Sequence, residues 1–163
     1  MNNITFEGAM DFSNLKYTEL PEDKVERYTV RDGDILFNRK NSTELVGKTA
    51  VYRGEDVRMA YAGYLIRLRT SAENSPDYIS YFLNSRHGKA VLRNMCKSII
   101  GMANINAREV QSIPIPRPPA ELQLRFANVV RKIQDVRSRH YKSLACFGTI
   151  FASLQSRAFA GEL

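Results

Sequence analysis

A chain of 163 residues has room for one domain with a modest core and one further long element. Its hydrophobic fraction of 44% is ordinary, no apolar run approaches a membrane span, and Met1 to Gly8 shows neither the basic start nor the apolar core of a signal peptide. The net charge of +7 favours a polyanionic partner, nucleic acid ahead of membrane, and two cysteines in unlike contexts, Cys96 and Cys146, suit a reduced cytoplasmic setting.

The charge is unevenly placed. Residues 1–34 carry four basic and eight acidic side chains, residues 35–118 thirteen and six, and residues 119–163 seven and three. The basic excess therefore begins where the first strong strand begins. In the acidic opening, Phe6, Met10, Phe12, Leu15, Tyr17 and Leu20 follow no clean period, and Pro21 to Tyr28 suits a short helix. Asp32-Gly33 is a turn signal, and Asp34 to Arg39 reads as a strand. Asn38 to Gly47 is polar and loop-like. Lys48 to Tyr52 is the next strand, Arg53 to Asp56 a turn, and Val57 to Arg69 a longer strand region in partial alternation. Two or three antiparallel strands are the expected product.

Helices follow. Ser75-Pro76-Asp77 opens one, with Ser75 as N-cap and Pro76 at the first helical position. Asn84-Ser85 breaks it, and a second helix is predicted from about Arg86 to Lys97. Ser98 to Asn104 reads as a loop. Asn106-Ala107-Arg108-Glu109 is a capping-box pattern for a short helix. Ser112 to Pro116 is predicted as a short edge strand, since two prolines cannot donate to a central ladder. Pro118-Pro119 then stiffens a hinge.

From there a single long helix is predicted. Residues Leu122, Phe126, Val129, Ile133, Val136, His140, Leu144, Phe147, Phe151, Leu154 and Ala158 recur at alternating steps of four and three. This is the seam of a coiled coil. The alternation breaks once, at Val136-His140-Leu144, where two steps of four adjoin and form a stutter. The fold class is thus α+β: a small mixed domain over residues 1–117, then a coiled-coil-forming helix over 118–163.

A catalytic constellation does not emerge. His140 falls on the seam and His87 at a helix start. The glycines are isolated, and clusters of Cys and His with metal-ligand spacing are missing. Glu22-Asp23-Lys24 and Pro76-Asp77 look like the halves of a nuclease core, but in the wrong order, and each suits a helix start. Amino-methyltransferase signatures are missing as well. No catalytic residue, metal or cofactor is expected.

One ordered set of motifs resembles a known family. Gly33 to Arg39, Asn41-Ser42, Leu45 to Tyr52, Tyr64 to Leu68, Ala103 to Asn106 and Ile113 to Pro119 are similar to a target recognition domain of the DNA specificity subunits of type I restriction–modification systems. The tail from Leu154 to Leu163 resembles the end of that family's spacer helix. The resemblance implies a non-catalytic subunit. Such a subunit has two recognition domains, each reading half of a split DNA target, and two long helices that pair antiparallel. It docks methyltransferase subunits and, through them, restriction subunits. Against that pattern this chain is a half: one recognition domain and one helix, with the family's opening strand and helix ahead of Gly33 missing. An N-terminally incomplete domain is the expectation.

The implied partners are double-stranded DNA, the methyltransferase subunit and a second half-subunit or second copy, with no membrane. Arg39, Lys40 and Asn41 bring together residue types that bond guanine and adenine edges. Ser42 can reach phosphate, and Lys48, Arg53, Arg58, Lys97 and Arg108 are candidate phosphate contacts. Plainer roles compete: Asn41-Ser42 suits a turn, Asn104 and Asn106 suit caps, and Arg67 and Arg69 suit solvent-facing strand positions. Family motifs are shared by subunits that read different targets, so base readers are also expected in Arg53 to Arg58 and Lys97 to Met102. On the helix, Arg125, Arg131, Lys132, Arg137 and Arg139 far outnumber Glu121 and Asp135, which suits DNA or an acidic patch on the methyltransferase subunit. A coiled-coil adaptor without DNA binding is the competing reading.

Overall fold

The computed structural model describes residues 3–42, 45–54, 59–96 and 103–162. They form two units, Met1–Leu124 and Arg125–Leu163. The class is mixed α+β with one long C-terminal helix.

The first unit is organised on a three-stranded antiparallel sheet. Its central strand is β1 (Ile35–Asn38), flanked by β3 (Thr49–Val51) and β4 (Leu65–Leu68). Phe37 stands opposite Thr49 on one side and Ile66 on the other. All four residues of β1 are buried, as a central strand covered on both faces requires. Alternation sends Phe37 and Leu36 to opposite faces. Phe37 joins Val46, Leu83, Leu92, Ile105, Val110 and Ile113, while Leu36 joins Ile4, Val30, Ala50 and Tyr52.

The helices around the sheet begin where local chemistry says they should. The first, α1, spans Glu22–Tyr28. In α2 (Pro76–Asn84) the Ser75 hydroxyl accepts the Tyr78 N–H, and in α3 (Arg86–Met95) the Ser85 hydroxyl accepts the Gly88 N–H. The capping box of α4 (Ala107–Gln111) closes both ways, Asn106 Oδ1 accepting from Glu109 N at 3.0 Å and Asn106 N donating to Glu109 Oε2 at 2.8 Å.

Three expectations are corrected. The strand region predicted from Val57 to Arg69 shrinks to β4, preceded by a single bridge between Thr29 and Ala60, with residues 55–58 outside the described ones. Ser112 to Pro116 makes no strand. Ile113 anchors it in the core and the Tyr78 hydroxyl donates to the Pro116 carbonyl at 3.0 Å, so side chains hold what the proline-broken backbone cannot. The polar stretch from Asn38 to Gly47 carries a strand of its own, β2 (Lys40–Asn41), paired antiparallel with β5 (Ala103–Asn104).

The long helix α5 spans Ala120–Phe159, about 60 Å at 1.5 Å per residue. Its start belongs to the first unit. In the second unit Ala127 and Val130 are buried, and every described residue after Val130 is exposed.

Candidate nucleic-acid interface

The β2–β5 ladder brings together two stretches that are more than sixty residues apart in the chain. Lys40 pairs with Asn104 and Asn41 with Ala103. Arg39, half-buried, donates from Nε to Asn104 Oδ1 at 3.3 Å, while its backbone carbonyl accepts Ile105 N at 2.9 Å. Lys40 is exposed. Arg108, two residues into α4 and close in sequence to Asn104, is exposed too. The result is a short two-stranded ribbon carrying Arg39, Lys40, Asn41 and Asn104. Two-stranded ribbons are among the elements that B-DNA's major groove admits.

Its footing is well defined. Asn38 N donates to the Lys48 carbonyl and Gly47 N to the Asn38 carbonyl, both at 2.8 Å. Gly47 has φ +73°, and a Cβ there would stand 2.6 Å from Leu92, so glycine is required. Within the loop, Asn41 Oδ1 accepts Ser42 N at 2.9 Å, and the Ser42 carbonyl receives Leu45 N and Val46 N. Asn41 and Ser42 thus build the turn that sequence reasoning set against base contact.

Other basic residues work inside the unit. Lys48 is buried, and its ammonium donates to the Ile4 carbonyl at 2.7 Å; burial pushes its pKa down. An outside phosphate cannot reach it. Arg53 bridges Asp32 at 3.1 Å and the buried Asp77 at 2.7 Å, so this guanidinium fixes a turn to the first turn of α2. Arg67 donates to the Thr29 carbonyl and lies 5.5 Å from the Tyr61 ring centroid. Arg69 grips the buried Asp34 through Nε at 2.8 Å and Nη2 at 3.3 Å. Neither arginine simply projects to solvent. Arg58 and Lys97, with most of the two loops named as base readers, lie outside the described residues.

Sequence reasoning missed two polar residues that shape this unit. Lys89 donates to the Gly47 carbonyl at 2.7 Å, and burial, aided by the nearby Lys48 charge, brings its pKa down to about 8. Gln123, buried in the first turn of α5, accepts from Ser75 N and donates to the Pro118 carbonyl, each at 2.9 Å. A lysine in a mixed helix and a glutamine on a basic one carry no local mark. Among the described residues no group of three or more His, Cys, Asp or Glu could hold a metal ion, and no helix is long and apolar enough to cross a membrane.

On α5 the seam lies open. Leu122, Val129, Ile133, Val136, Leu144, Phe147, Phe151 and Leu154 are 45–68% exposed, Phe126 is 38% exposed, and His140 is exposed as well. Gln123, Ala127 and Val130, the buried residues of the helix, form a separate row at steps of four and three.

The chain thus joins a small mixed domain that carries the β2–β5 ribbon to a 40-residue helix with an exposed apolar seam. Comparison with known proteins gives the kinship: the chain is a distant relative of the specificity subunits of type I restriction enzymes. It is 27% identical to the type I restriction enzyme EcoKI specificity subunit of Escherichia coli K12 over 165 residues, covering 96% of this chain and 35% of that protein. It is 29% identical to the putative type I restriction enzyme MjaX specificity subunit of Methanocaldococcus jannaschii over 132 residues, covering 80% and 31%. The type I restriction enzyme EcoEI specificity subunit of Escherichia coli is 31% identical over 134 residues, covering 78% and 22%. The chain thus spans about a third or less of the length of these relatives. No family model matches it.

Proposed function

We propose that this chain is a non-catalytic, DNA-reading half of a type I specificity subunit. Residues 1–117 recognise one half of a split duplex target. Residues 118–163 form the spacer helix, which pairs antiparallel with the helix of a second half. Its partners are double-stranded DNA, the methyltransferase subunit and, through that subunit, the restriction subunit, all in the cytoplasm. The observation that carries this reading is the β2–β5 ribbon, on which Lys40 and Asn104 are exposed beside the half-buried Arg39 and Asn41, in a chain whose relatives are specificity subunits. With Lys48 and Arg53 engaged internally, the contacts proposed for the described residues are Arg39, Lys40, Asn104 and Arg108.

A second reading has support from that same loss of cations: a coiled-coil adaptor for the methyltransferase subunit that does not bind DNA. One experiment separates the two. Binding of mixed duplex DNA is measured across a salt series, with and without a type I methyltransferase subunit. The specificity reading expects complexes that weaken steeply as salt rises, because phosphate contacts release counterions. If DNA is never bound at low salt while the methyltransferase subunit still is, the adaptor reading holds.

A further inference from the structure

The cations of the head sort by what holds them. Thirteen basic residues lie between positions 35 and 118, and all but Arg58 and Lys97 are described. Arg53, Arg67, Arg69 and Arg117 reach Asp or Glu carboxylates. Lys48 and Lys89 give their ammonium groups to the Ile4 and Gly47 carbonyls. The rest form no ion pair: Arg39 and Lys40 at the ribbon, Arg108 on α4, and Arg86 and Arg93 on α3. The first three already belong to the DNA reading above, and the last two do not.

We propose that α3 lies along the phosphate backbone of the same duplex, with Arg86 and Arg93 each holding a phosphate while the ribbon approaches the bases. This rests on the half-subunit reading and deepens it, by assigning a second element and two further residues to the DNA surface.

The composition of α3 runs against the ordinary rule for helix ends. A helix N-terminus carries partial positive charge, so acids favour its first turn and cations are disfavoured there. Glu22 and Asp23 open α1, Asp77 opens α2, Glu109 opens α4 and Glu121 opens α5. In contrast α3 begins with Arg86 and His87, and none of its ten residues is acidic. Local helix stability does not select such a sequence. An anionic partner does.

The geometry suits a backbone. Arg86 and Arg93 are seven residues apart, so they stand about 20° from each other round the helix and about 10 Å apart along it. Three base-pair steps of about 3.4 Å cover the same distance. Both arginines are exposed, whereas Gly88 and Leu92, on the other side of the helix, are buried. The Nε of Arg93 donates to the Lys89 carbonyl at 3.3 Å, which leaves its Nη groups for phosphate oxygens.

Position favours DNA over an acidic protein surface. Lys89 stands on the flank between the arginine row and the buried row, and its bond to the Gly47 carbonyl at 2.7 Å fastens α3 to the foot of the ribbon. Leu92 packs in one cluster with Phe37, Val46 and Ile105, so residues on both sides of the ribbon share their footing with α3. Phosphate contacts position a protein on a duplex while base contacts specify the sequence. Arginines rooted beside the reading element serve the first purpose.

The test titrates the full chain, together with a type I methyltransferase subunit, across a salt series with two unrelated duplexes of equal length. Arg86→Ala combined with Arg93→Ala is compared with the native chain and with Arg86→Lys combined with Arg93→Lys. The alanine pair should melt no lower than the native chain, since both positions are exposed and alanine is the best helix former. It is expected to lose about 2 from the logarithmic salt slope, equally on both duplexes, while the lysine pair keeps the slope. An unchanged slope in the folded alanine pair would overturn the proposal and leave the half-subunit reading standing on the ribbon. A loss confined to one duplex would overturn the phosphate role. Loss of the methyltransferase subunit with the DNA slope unchanged would assign this face of α3 to an acidic protein surface instead. If the native chain binds neither duplex at any salt, the half-subunit reading itself falls and takes the proposal with it.

Discussion

Gln123 Oε1 accepts the backbone N–H of Ser75 at 2.9 Å. Ser75 is also the cap of α2, so one buried carboxamide joins the entry of α5 to the entry of α2 inside the head. Its Nε2 occupies the Pro118 carbonyl at 2.9 Å. The variant Gln123→Leu keeps the volume but leaves both backbone groups unpaired. It is expected to lower stability by about 1–3 kcal/mol, read as a shift in the urea midpoint with an unchanged slope.

Arg53, named from the sequence as a candidate phosphate contact, forms an ion pair with Asp77 at 2.7 Å. Asp77 is buried, whereas the Arg53 side chain is 39% exposed, so the loss on removing Arg53 falls chiefly on the buried carboxylate. Arg53→Ala is expected to cost about 1–3 kcal/mol. The double variant Arg53→Ala with Asp77→Asn should recover part of that loss. Under conditions where the variant is folded, the salt dependence of DNA binding should be unchanged.

Gly88 tests how tightly α2 and α3 turn on Ser85. A Cβ at Gly88 would stand 2.2 Å from the Phe82 carbonyl oxygen and 2.8 Å from that of Leu83. Alanine is the better helix former by about 1 kcal/mol. The clash is with backbone, however, and overpacking of this kind costs about 1–3 kcal/mol. Gly88→Ala is therefore expected to be net destabilising in thermal melts, against its helix propensity.

Lys89 gives the head a pH dependence of known sign. Its pKa falls from 10.5 to about 8 on folding. Below pH 8 the lysine is protonated in both states, and its burial counts against the fold. Between pH 8 and 10.5 the unfolded chain binds the extra proton, so this residue's contribution to stability rises with pH. The difference in unfolding free energy between the native chain and Lys89→Met should therefore change in favour of the native chain across that window and be flat below it.

Salt should separate the two associations proposed above, DNA binding and helix pairing. DNA binding through Lys40 and Arg108 weakens as salt rises, and Lys40→Ala is expected to reduce the logarithmic salt slope by about 1. Pairing through the apolar α5 seam is expected not to weaken, because burying apolar surface releases no counterions. Sedimentation equilibrium and DNA titration over one salt range check both.

What was legible in the sequence was mostly what is local. Ser75 as a cap and the Asn106–Glu109 capping box act over three residues, so spacing alone predicts them. The long helix is legible because its seam repeats many times. The β2–β5 ladder was not, since nothing in Lys40-Asn41 indicates a partner at residues 103–104. The basic residues are hard to place for a related reason. Charge is visible in a sequence, but whether Lys48 faces solvent or the Ile4 carbonyl depends on a fold that brings residues 4 and 48 together. Pro114 and Pro116 correctly argued against a central strand, yet the chain there is held by the Tyr78 hydroxyl rather than by any edge.

The clasp at Asn38, Gly47 and Lys48 bears on how such a head can change over time. Arg39, Lys40 and Asn41, proposed above to face DNA, hang from a base whose backbone bonds, glycine geometry and buried lysine do not involve them. Substitutions at Arg39, Lys40 and Asn41 can therefore accumulate while the sheet beneath folds as before. Change at the ribbon and constancy at the base become separable, so on the proposed DNA-reading role a lineage could acquire new addresses without rebuilding the sheet that carries them.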